Sequence, residues 1–241
     1  MFLFDSNYLI IMVLAIAIGG LAQLGISRTN KKYSRIPIAS GMTGAQVALR
    51  ILQSNGIASP DGRTRCGSVG IQQVSGSLTD HYDPSSGIVS LSDSIYGASS
   101  ISAAAVAAHE VGHAIQDAHG YVFGRLRTAM VPTVNFSSRF SMILIILGLF
   151  LGVASGLGYY ALWAGIILYS AAVIFQLVTL PVEIDASRRG LAALRDLAVL
   201  GPDELSGGRK VLTAAAMTYV AAALVSLLYL GYFIFLGGNR R

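Results

Sequence analysis

The sequence is poor in charge and almost free of cysteine. Asp, Glu, Lys and Arg make up 12% of its 241 residues, about half the share of roughly 25% found in soluble domains, and 54% of the residues are hydrophobic. A chain with so few charges indicates that lipid, as well as a core, takes up its apolar surface. The single cysteine, Cys66, excludes an intramolecular disulfide and is compatible with a reducing compartment.

The excess of basic residues is modest, with 17 Lys and Arg against 12 Asp and Glu, which gives a net charge of +5. These residues are scattered beside apolar stretches, so membrane topology explains them more simply than binding of a nucleic acid. We therefore expect the lipid bilayer as a partner, and no nucleic acid.

Four stretches are apolar over about the 20 residues that a helix needs to cross a bilayer. They are predicted over residues 8–26, 140–157, 160–180 and 211–236. Only Gly158 and its neighbours separate the second from the third, which predicts a tight helical hairpin. The first stretch can also be interpreted as a cleaved signal peptide, but no basic residue precedes it, so a retained anchor is favoured.

The distribution of basic residues predicts the orientation of these spans. Of the 17 Lys and Arg residues, 15 lie in two segments on the same side of the membrane, 27–139 and 181–210. Positive charge favours the cytoplasmic side, so both termini are predicted to lie outside in a multi-pass plasma-membrane protein. The domain organisation is then a first transmembrane helix in 1–26, a cytoplasmic domain in 27–139, a transmembrane hairpin in 140–180, a cytoplasmic segment in 181–210, and a fourth helix with a tail in 211–241.

The segment 27–139 is the candidate for a folded polar domain. Thr43 or Ser40 can cap a helix over residues 45–52, and a second helix is predicted from residue 99 or 100 to Ala118. The sequence between these helices is typical of a small sheet of two or three strands. Its β-like runs lie at residues 68–74, 77–81 and 88–91, with a turn at 83–87.

The second of these helices carries the sequence His-Glu-Val-Gly-His at residues 109–113. His109 and His113 are four residues apart, which places both imidazoles on one helix face, where they can bind one zinc ion. Glu110 can then act as the acid/base that moves a proton from the attacking water to the leaving amine. Gly112 lowers helix propensity by about 1 kcal/mol relative to Ala, which indicates a functional or packing requirement. Such a motif also arises by chance, but its helical context favours a zinc site.

A catalytic zinc ion needs three protein ligands and an open fourth position. Glu183 follows the third span directly after Pro181, and an acid so close to the hydrocarbon boundary is costly unless it is functional. Glu183 is therefore the predicted third ligand, with a solvated interfacial charge as the alternative. Asp117, one turn beyond His113, and Asp185 are predicted to hydrogen bond to the ligands.

Three segments together resemble the bacterial putative neutral zinc metallopeptidases, the YugP-like family. They are Leu-Thr-Asp-His-Tyr-Asp-Pro at 78–84, the motif at 109–113, and Thr-Leu-Pro-Val-Glu-Ile-Asp-Ala-Ser at 179–187. The resemblance covers nearly the whole chain and implies a membrane metallopeptidase, with one catalytic Zn²⁺ bound by His109, His113 and Glu183, and with Glu110 as acid/base.

The architecture is also similar to that of the integral-membrane gluzincins related to the heat-shock protease and the CAAX prenyl protease. Those enzymes carry a carboxylate four residues after the ligand glutamate, where this chain has Ser187.

Two further residues, His81 and Tyr82, lie in a predicted strand that precedes the helix carrying the motif at 109–113. They can donate hydrogen bonds to the oxyanion of a tetrahedral intermediate. They can equally close the hairpin at residues 80–87 as structural residues. The same strands can offer an edge to an extended peptide substrate.

The predicted fold class is a mainly α integral membrane protein, with four transmembrane helices and a small α+β zincin-like catalytic domain on the cytoplasmic side. The predicted function is that of a zinc-dependent endopeptidase, which hydrolyses peptide bonds in membrane-associated or misfolded proteins by metal-activated water. A non-hydrolytic membrane scaffold or adaptor with a structural zinc site is the alternative, although such a site needs no base at Glu110. A transporter is disfavoured because the spans lack buried charge pairs.

Protein or peptide substrates are the expected partners, beside the bilayer. Glycines at 148, 152 and 156 are spaced for close helix packing, either within the chain or in contact with a homo-oligomer or another membrane protein.

Overall fold

The computed structural model describes residues 6–58 and 68–238, which form seven helices and three short strands. Cys66 lies outside the described residues. The mainly helical class, four apolar helices of membrane-spanning length and a small sheet are confirmed. The elements in chain order are α1 Ser6–Tyr33, α2 Gly44–Ser54, β1 Gly70–Val74, β2 His81–Asp83, β3 Ile88–Ser92, α3 Asp93–Tyr96, α4 Ile101–Ala118, α5 Val122–Leu151, α6 Gly156–Asp196 and α7 Pro202–Gly238.

The four long helices, α1, α5, α6 and α7, carry the apolar stretches. Large hydrophobic side chains point outward along them; Ile16 is 66% exposed and Phe150 is 86% exposed. In water such a surface would be unfavourable, whereas lipid tails solvate it. These helices are therefore suited to a bilayer by length, composition and outward-facing side chains.

The chain divides into two compact units, and each of the four long helices contributes residues to both. We call the first the apolar unit; it comprises Met1–Gln23, Leu126–Leu180 and Thr218–Arg241. We call the second the polar unit; it comprises Leu24–Arg125 and Pro181–Met217.

Within the apolar unit, α5 and α6 form a hairpin whose backbones touch. A Cβ atom on Gly148 would lie 2.5 Å from the backbone nitrogen of Leu162, and one on Gly165 would lie 2.8 Å from the carbonyl oxygen of Ser141. Small residues allow this approach, as in other membrane helix pairs. Of the three glycines predicted to pack closely, Gly148 therefore makes a contact within the chain.

The turn of this hairpin lies earlier than the sequence predicts. Helix α5 ends at Leu151, Gly152 has a φ of +83°, and α6 begins at Gly156, so Gly158 lies inside a helix. The prediction of a turn at Gly158 was wrong because the left-handed backbone is supplied by Gly152. The hydroxyl of Ser155 accepts a hydrogen bond from the Gly158 N–H group at 3.0 Å, which caps the start of α6.

In the polar unit, the two predicted helices are present with the expected caps. Thr43 and Gln46 form a reciprocal capping box at the start of α2, and Ser100 caps α4 through the Ala103 N–H group. These helices pack together around a core of buried aliphatic residues. Its members include Val47, Ile51, Leu52, Val89, Leu91, Val111 and Leu194.

The sheet has the strand order β1-β3-β2, with β1 parallel and β2 antiparallel to β3. The predicted second strand at 77–81 was wrong, since β2 begins at His81. Leu78 has a left-handed φ of +61°, which a strand does not adopt. The Asp80 carboxylate accepts hydrogen bonds from the backbone and hydroxyl of Ser92, so side-chain bonds fix this loop.

Helix α6 runs without interruption through Pro181 and ends at Asp196. The segment predicted at 181–210 is therefore the second part of α6, a short connection and the first turns of α7. This continuity puts Glu183 on a helix rather than in a loop, so its position is set by helix packing.

Candidate metal centre

Helix α4 carries both histidines and is buried on almost every side. Alanines at six positions are at most 1% exposed, which lets neighbouring elements approach its backbone closely: Ala103, Ala104, Ala105, Ala107, Ala108 and Ala114. His109 and His113 share one face, with ring centroids 4.7 Å apart in an edge-to-face arrangement. The four-residue spacing thus produces the juxtaposition that the sequence predicts.

Helix α6 crosses this face of α4 at backbone contact. A Cβ atom on Gly112 would lie 2.3 Å from the carbonyl oxygen of Ala186, and one on Gly190 would lie 2.6 Å from that of Ala108. One turn further along α4, the Gln116 amide nitrogen donates to the carbonyl oxygen of Val182 at 2.8 Å. Each step of four residues forward on α4 is a step of four back on α6, so the two helices run antiparallel in a fixed register.

This register brings Glu183 to the two histidines. Its Oε2 atom lies 3.2 Å from Nε2 of His109 and 3.7 Å from Nε2 of His113. One ligand atom from each residue lies within 4.8 Å of the other two, and Glu183 is only 2% exposed. Two atoms that bind one tetrahedral zinc at about 2.1 Å lie about 3.4 Å apart, so these separations fit a zinc ion.

The remaining ring nitrogens of the histidines also have oxygen partners. Nδ1 of His109 lies 3.0 Å from the Ser187 hydroxyl, and Nδ1 of His113 lies 3.1 Å from Oε1 of Gln116. Nδ1 atoms engaged in this way leave both Nε2 atoms for a metal. Two imidazoles and one carboxylate form a donor set that fits a zinc ion, and catalytic zinc sites of known enzymes use such sets.

Comparison with known proteins agrees with this geometry. A family model described as "Putative neutral zinc metallopeptidase" matches residues 8–237. The chain belongs to this zinc metallopeptidase family. It is 43% identical over 234 residues to the "Putative membrane protease YugP" of Bacillus subtilis (strain 168), a match that covers 97% of this chain and 98% of that protein. No solved structure matches the chain.

In this metallopeptidase family member, Glu110 directly follows His109 on α4 and is 8% exposed. It precedes His113 by three residues, so the two side chains lie on adjoining parts of the helix surface. Its carboxylate does not belong to the group of three candidate metal donors.

The two acids that the sequence predicts as partners of the ligands have different surroundings. The Asp185 carboxylate accepts hydrogen bonds from Gln116 at 2.9 Å and from Arg189 at 2.6 Å. Asp185 is therefore connected to His113 through the Gln116 side chain. The Asp117 carboxylate is exposed and accepts a hydrogen bond from the Tyr82 hydroxyl at 2.9 Å.

Strand β2 packs beside α4 and carries His81 and Tyr82. Nδ1 of His81 lies 2.8 Å from the Thr79 carbonyl oxygen, which only accepts, so Nδ1 carries a proton. Burial, followed by the hydrogen bond to Asp117, raises the pKa of Tyr82 well above its ordinary value. The raised pKa keeps the Tyr82 hydroxyl protonated, so that it can donate a hydrogen bond. The roles of His81 and Tyr82 as donors to an oxyanion stay predictions.

Sequence reasoning missed Gln116 as a partner of a ligand and noted Ser187 only as a departure from related enzymes. Gln116 is 3% exposed and bonds to both α4 and α6. A signal was present in the spacing, because Gln116 follows His113 by three residues and therefore lies on the same side of the helix.

Proposed function

We propose that this metallopeptidase family member is a zinc-dependent membrane endopeptidase with its active site at α4 and α6. The observation that carries the proposal is the convergence of Nε2 of His109, Nε2 of His113 and a Glu183 oxygen within 4.8 Å. A mixed donor set of this kind, held on two helices with a carboxylate at the next position, is what metal-assisted hydrolysis requires.

In this proposal the metal-binding residues and Glu110 have separate roles in hydrolysis. A zinc ion held by these three residues would supply a Lewis acid that polarises the scissile carbonyl and lowers the pKa of water. Glu110 takes a proton from the attacking water as the new C–O bond forms, which converts the carbonyl to a tetrahedral oxyanion. Glu110 then delivers this proton to the amine nitrogen as the peptide C–N bond breaks and the carbonyl re-forms. The low exposure of Glu110 keeps its carboxylate away from bulk solvent during this transfer.

Tyr82 is proposed as the donor to the oxyanion that forms on the scissile carbonyl. The proposal is supported by its place on β2 beside α4 and by a raised pKa that keeps the hydroxyl protonated. A rotation about the phenol C–O bond moves the hydroxyl hydrogen from Asp117 to the oxyanion. A donor that strengthens its bond as charge develops stabilises the transition state more than the substrate.

The substrate is proposed to bind as an extended peptide. In the sheet order β1-β3-β2, strand β2 lies at one edge and pairs with β3 through His81–Asp83. A peptide added at an edge makes main-chain hydrogen bonds that depend little on its sequence. This mode suits membrane-associated or misfolded proteins, which present unfolded segments of varied sequence. We further propose that the polar unit faces the cytoplasm.

The decisive experiment uses Glu110→Gln in the full-length protein purified in detergent. We expect one zinc per chain by elemental analysis and loss of casein or fluorogenic-peptide cleavage by at least about 10²-fold, since general base catalysis supplies roughly 10²–10⁴-fold. The wild type should lose cleavage on chelation and regain it with zinc. Full activity in Glu110→Gln contradicts the mechanism.

The same assay separates hydrolysis from a scaffold role. A non-hydrolytic adaptor with a structural zinc site would bind zinc and show no chelator-sensitive cleavage in the wild type. Comparing membrane proteomes that contain wild type and Glu110→Gln would then identify substrates, because the inactive variant should accumulate them.

A further inference from the structure

Gln116 stands at the centre of a buried hydrogen-bond arrangement between α4 and α6. Its Oε1 atom lies 3.1 Å from Nδ1 of His113. Its Nε2 atom donates to the Val182 carbonyl oxygen at 2.8 Å and to the Asp185 carboxylate at 2.9 Å. The side chain is 3% exposed, so water does not replace these partners.

The hydrogen-bond partners of the Gln116 side-chain amide permit only one placement of its oxygen and NH₂ group. The Val182 carbonyl oxygen and the Asp185 carboxylate only accept hydrogen bonds, so the NH₂ group of Gln116 has to face them. The amide oxygen must then face His113. Because that oxygen also only accepts, Nδ1 of His113 carries a proton, which leaves Nε2 as the ring nitrogen that can bind a metal ion.

The carboxylate at the far end of this arrangement is itself held. The Arg189 Nε–H group, one turn further along α6, donates to the same Asp185 oxygen at 2.6 Å. A guanidinium has only donor groups, so this contact holds the Asp185 carboxylate as an acceptor that faces Gln116. Arg189 thus orients the Asp185 carboxylate, which orients the Gln116 amide. Gln116 in turn orients the His113 ring.

The other histidine has a partner of a different kind. The Ser187 hydroxyl lies 3.0 Å from Nδ1 of His109, and a hydroxyl can both donate and accept. Ser187 is therefore compatible with either tautomer of His109, whereas Gln116 permits only one tautomer of His113. The two ligands of α4 differ in how firmly the protein sets their metal-binding nitrogen.

We propose that Gln116 is a positioning residue that fixes the tautomer and ring orientation of His113 and, through Asp185 and Arg189, makes the metal affinity depend on the register of α4 and α6. This inference rests on the proposed zinc site. It assigns to Asp185 an action through Gln116 rather than directly on a ligand.

The test is zinc affinity measured on the full-length protein in detergent, by competition with a chromophoric chelator. Gln116→Met keeps the length and volume of the side chain but removes its donor and acceptor atoms. We expect zinc affinity to fall by roughly 10–100-fold, the usual effect of removing a partner of a ligand. The visible absorption spectrum of the cobalt-substituted variant should also change, because the His113 ring is no longer held.

A matched control comes from a glutamine elsewhere in the polar unit. Gln73 on β1 also donates its amide to a carboxylate, that of Asp93, at 2.7 Å. Gln73→Met should leave the zinc affinity and the cobalt spectrum unchanged. A purely structural role for Gln116 would instead lower the melting temperature of apo and zinc-loaded protein alike, with affinity and spectrum as in the wild type, and this result would overturn the proposal.

A second variant covers the case in which Gln116→Met does not fold. Asp185→Ala leaves Gln116 with one acceptor, the Val182 carbonyl oxygen, and should weaken zinc binding at least about threefold. Unchanged zinc affinity in this variant overturns the proposal that Asp185 acts on His113 through Gln116. A wild-type protein that binds no zinc would instead overturn the proposed function itself, and this inference with it.

Discussion

Glu183 is a carboxylate, 2% exposed, that faces two imidazoles in the space between α4 and α6. Burying such a group is unfavourable unless charge or metal compensates it. The separation of its Oε2 atom from both Nε2 atoms suits a shared ion better than an isolated carboxylate. At the scale of single residues, the site therefore depends on Glu183 as much as on the motif in α4.

We predict that Glu183→Gln lowers zinc affinity by more than about 10²-fold, beyond the effect of losing an outer partner, because a neutral amide oxygen is a poor zinc ligand. Elemental analysis after dialysis measures this loss. Glu204→Gln is the matched control, because the Glu204 carboxylate accepts from the Ala39 and Gly201 N–H groups at 2.7 and 2.8 Å. Glu204→Gln should lower thermal stability and retain zinc. Retention of zinc in Glu183→Gln would instead show that Glu183 is not a zinc ligand.

The Tyr82 hydroxyl gives a second prediction at this scale. Tyr82→Phe should retain zinc and lower kcat by roughly 10²-fold, as expected for one oxyanion donor. Because the Tyr82 pKa is raised, its donor form persists through neutral and alkaline pH, so the alkaline fall of activity should have the same midpoint in wild type and variant. Tyr96→Phe on α3 is the control. An unchanged kcat in Tyr82→Phe would leave Tyr82 only a structural role.

At this scale the sequence was most informative where spacing acts within one helix. The positions of His109 and His113 follow from a four-residue interval, and the prediction of Glu183 followed from its place after an apolar span. The partners of the histidines were harder to predict because they depend on another helix. Which residues of α6 face α4 is decided by packing, and no local pattern encodes that register.

Among the elements, α4 and α6 matter most, since their antiparallel contact assembles the donor set. Gly112 was expected to serve function or packing, and the structure gives packing as the reason: the space that a side chain would need is occupied by the Ala186 carbonyl group. The cost in helix propensity is offset by this approach, without which Glu183 would lie further from the imidazoles.

We predict that Gly112→Ala separates the helices and lowers zinc affinity by at least about tenfold, because its Cβ atom would lie 2.3 Å from backbone that cannot rotate away. Chelator competition measures the loss. Gly25→Ala on α1 is the control, since a Cβ atom there meets nothing within 4 Å, and it should leave zinc binding unchanged. Wild-type affinity in Gly112→Ala would show that the contact relaxes without moving the ligands.

The differences between predicted and observed elements share a physical origin. The helices of the polar unit were predicted with their caps because Thr43, Gln46 and Ser100 act on their own neighbours. The start of β2 and the α5–α6 turn were misplaced because each depends on a left-handed residue, Leu78 and Gly152 respectively. Leu78 in particular has no sequence signal for such a backbone.

For the whole molecule, the orientation in the membrane is the property that the charge distribution predicts. The basic residues of 27–139 and 181–210 favour a cytoplasmic location for these segments and an outside location for both termini. The turn between α5 and α6 is then outside as well, because one span separates it from each of those segments.

We predict that, in a Cys66→Ser background, Ala154→Cys in this turn reacts with a membrane-impermeant maleimide in intact cells. Gln53→Cys on the exposed side of α2 should react only after permeabilisation. Labelling is followed by a gel shift, and retained zinc content checks the fold of each variant. Labelling of Gln53→Cys in intact cells would reverse the proposed topology.

The register between α4 and α6 has a consequence for when the candidate metal site is completed during synthesis. During synthesis the two histidines emerge first, and Glu183 follows 70 residues later, on a helix that has to reach its final depth before the three donors meet. An unfinished or misinserted copy cannot assemble the complete ligand set. For the zinc peptidase proposed above, metal binding would therefore follow correct insertion of α6, and hydrolysis would begin only after that step.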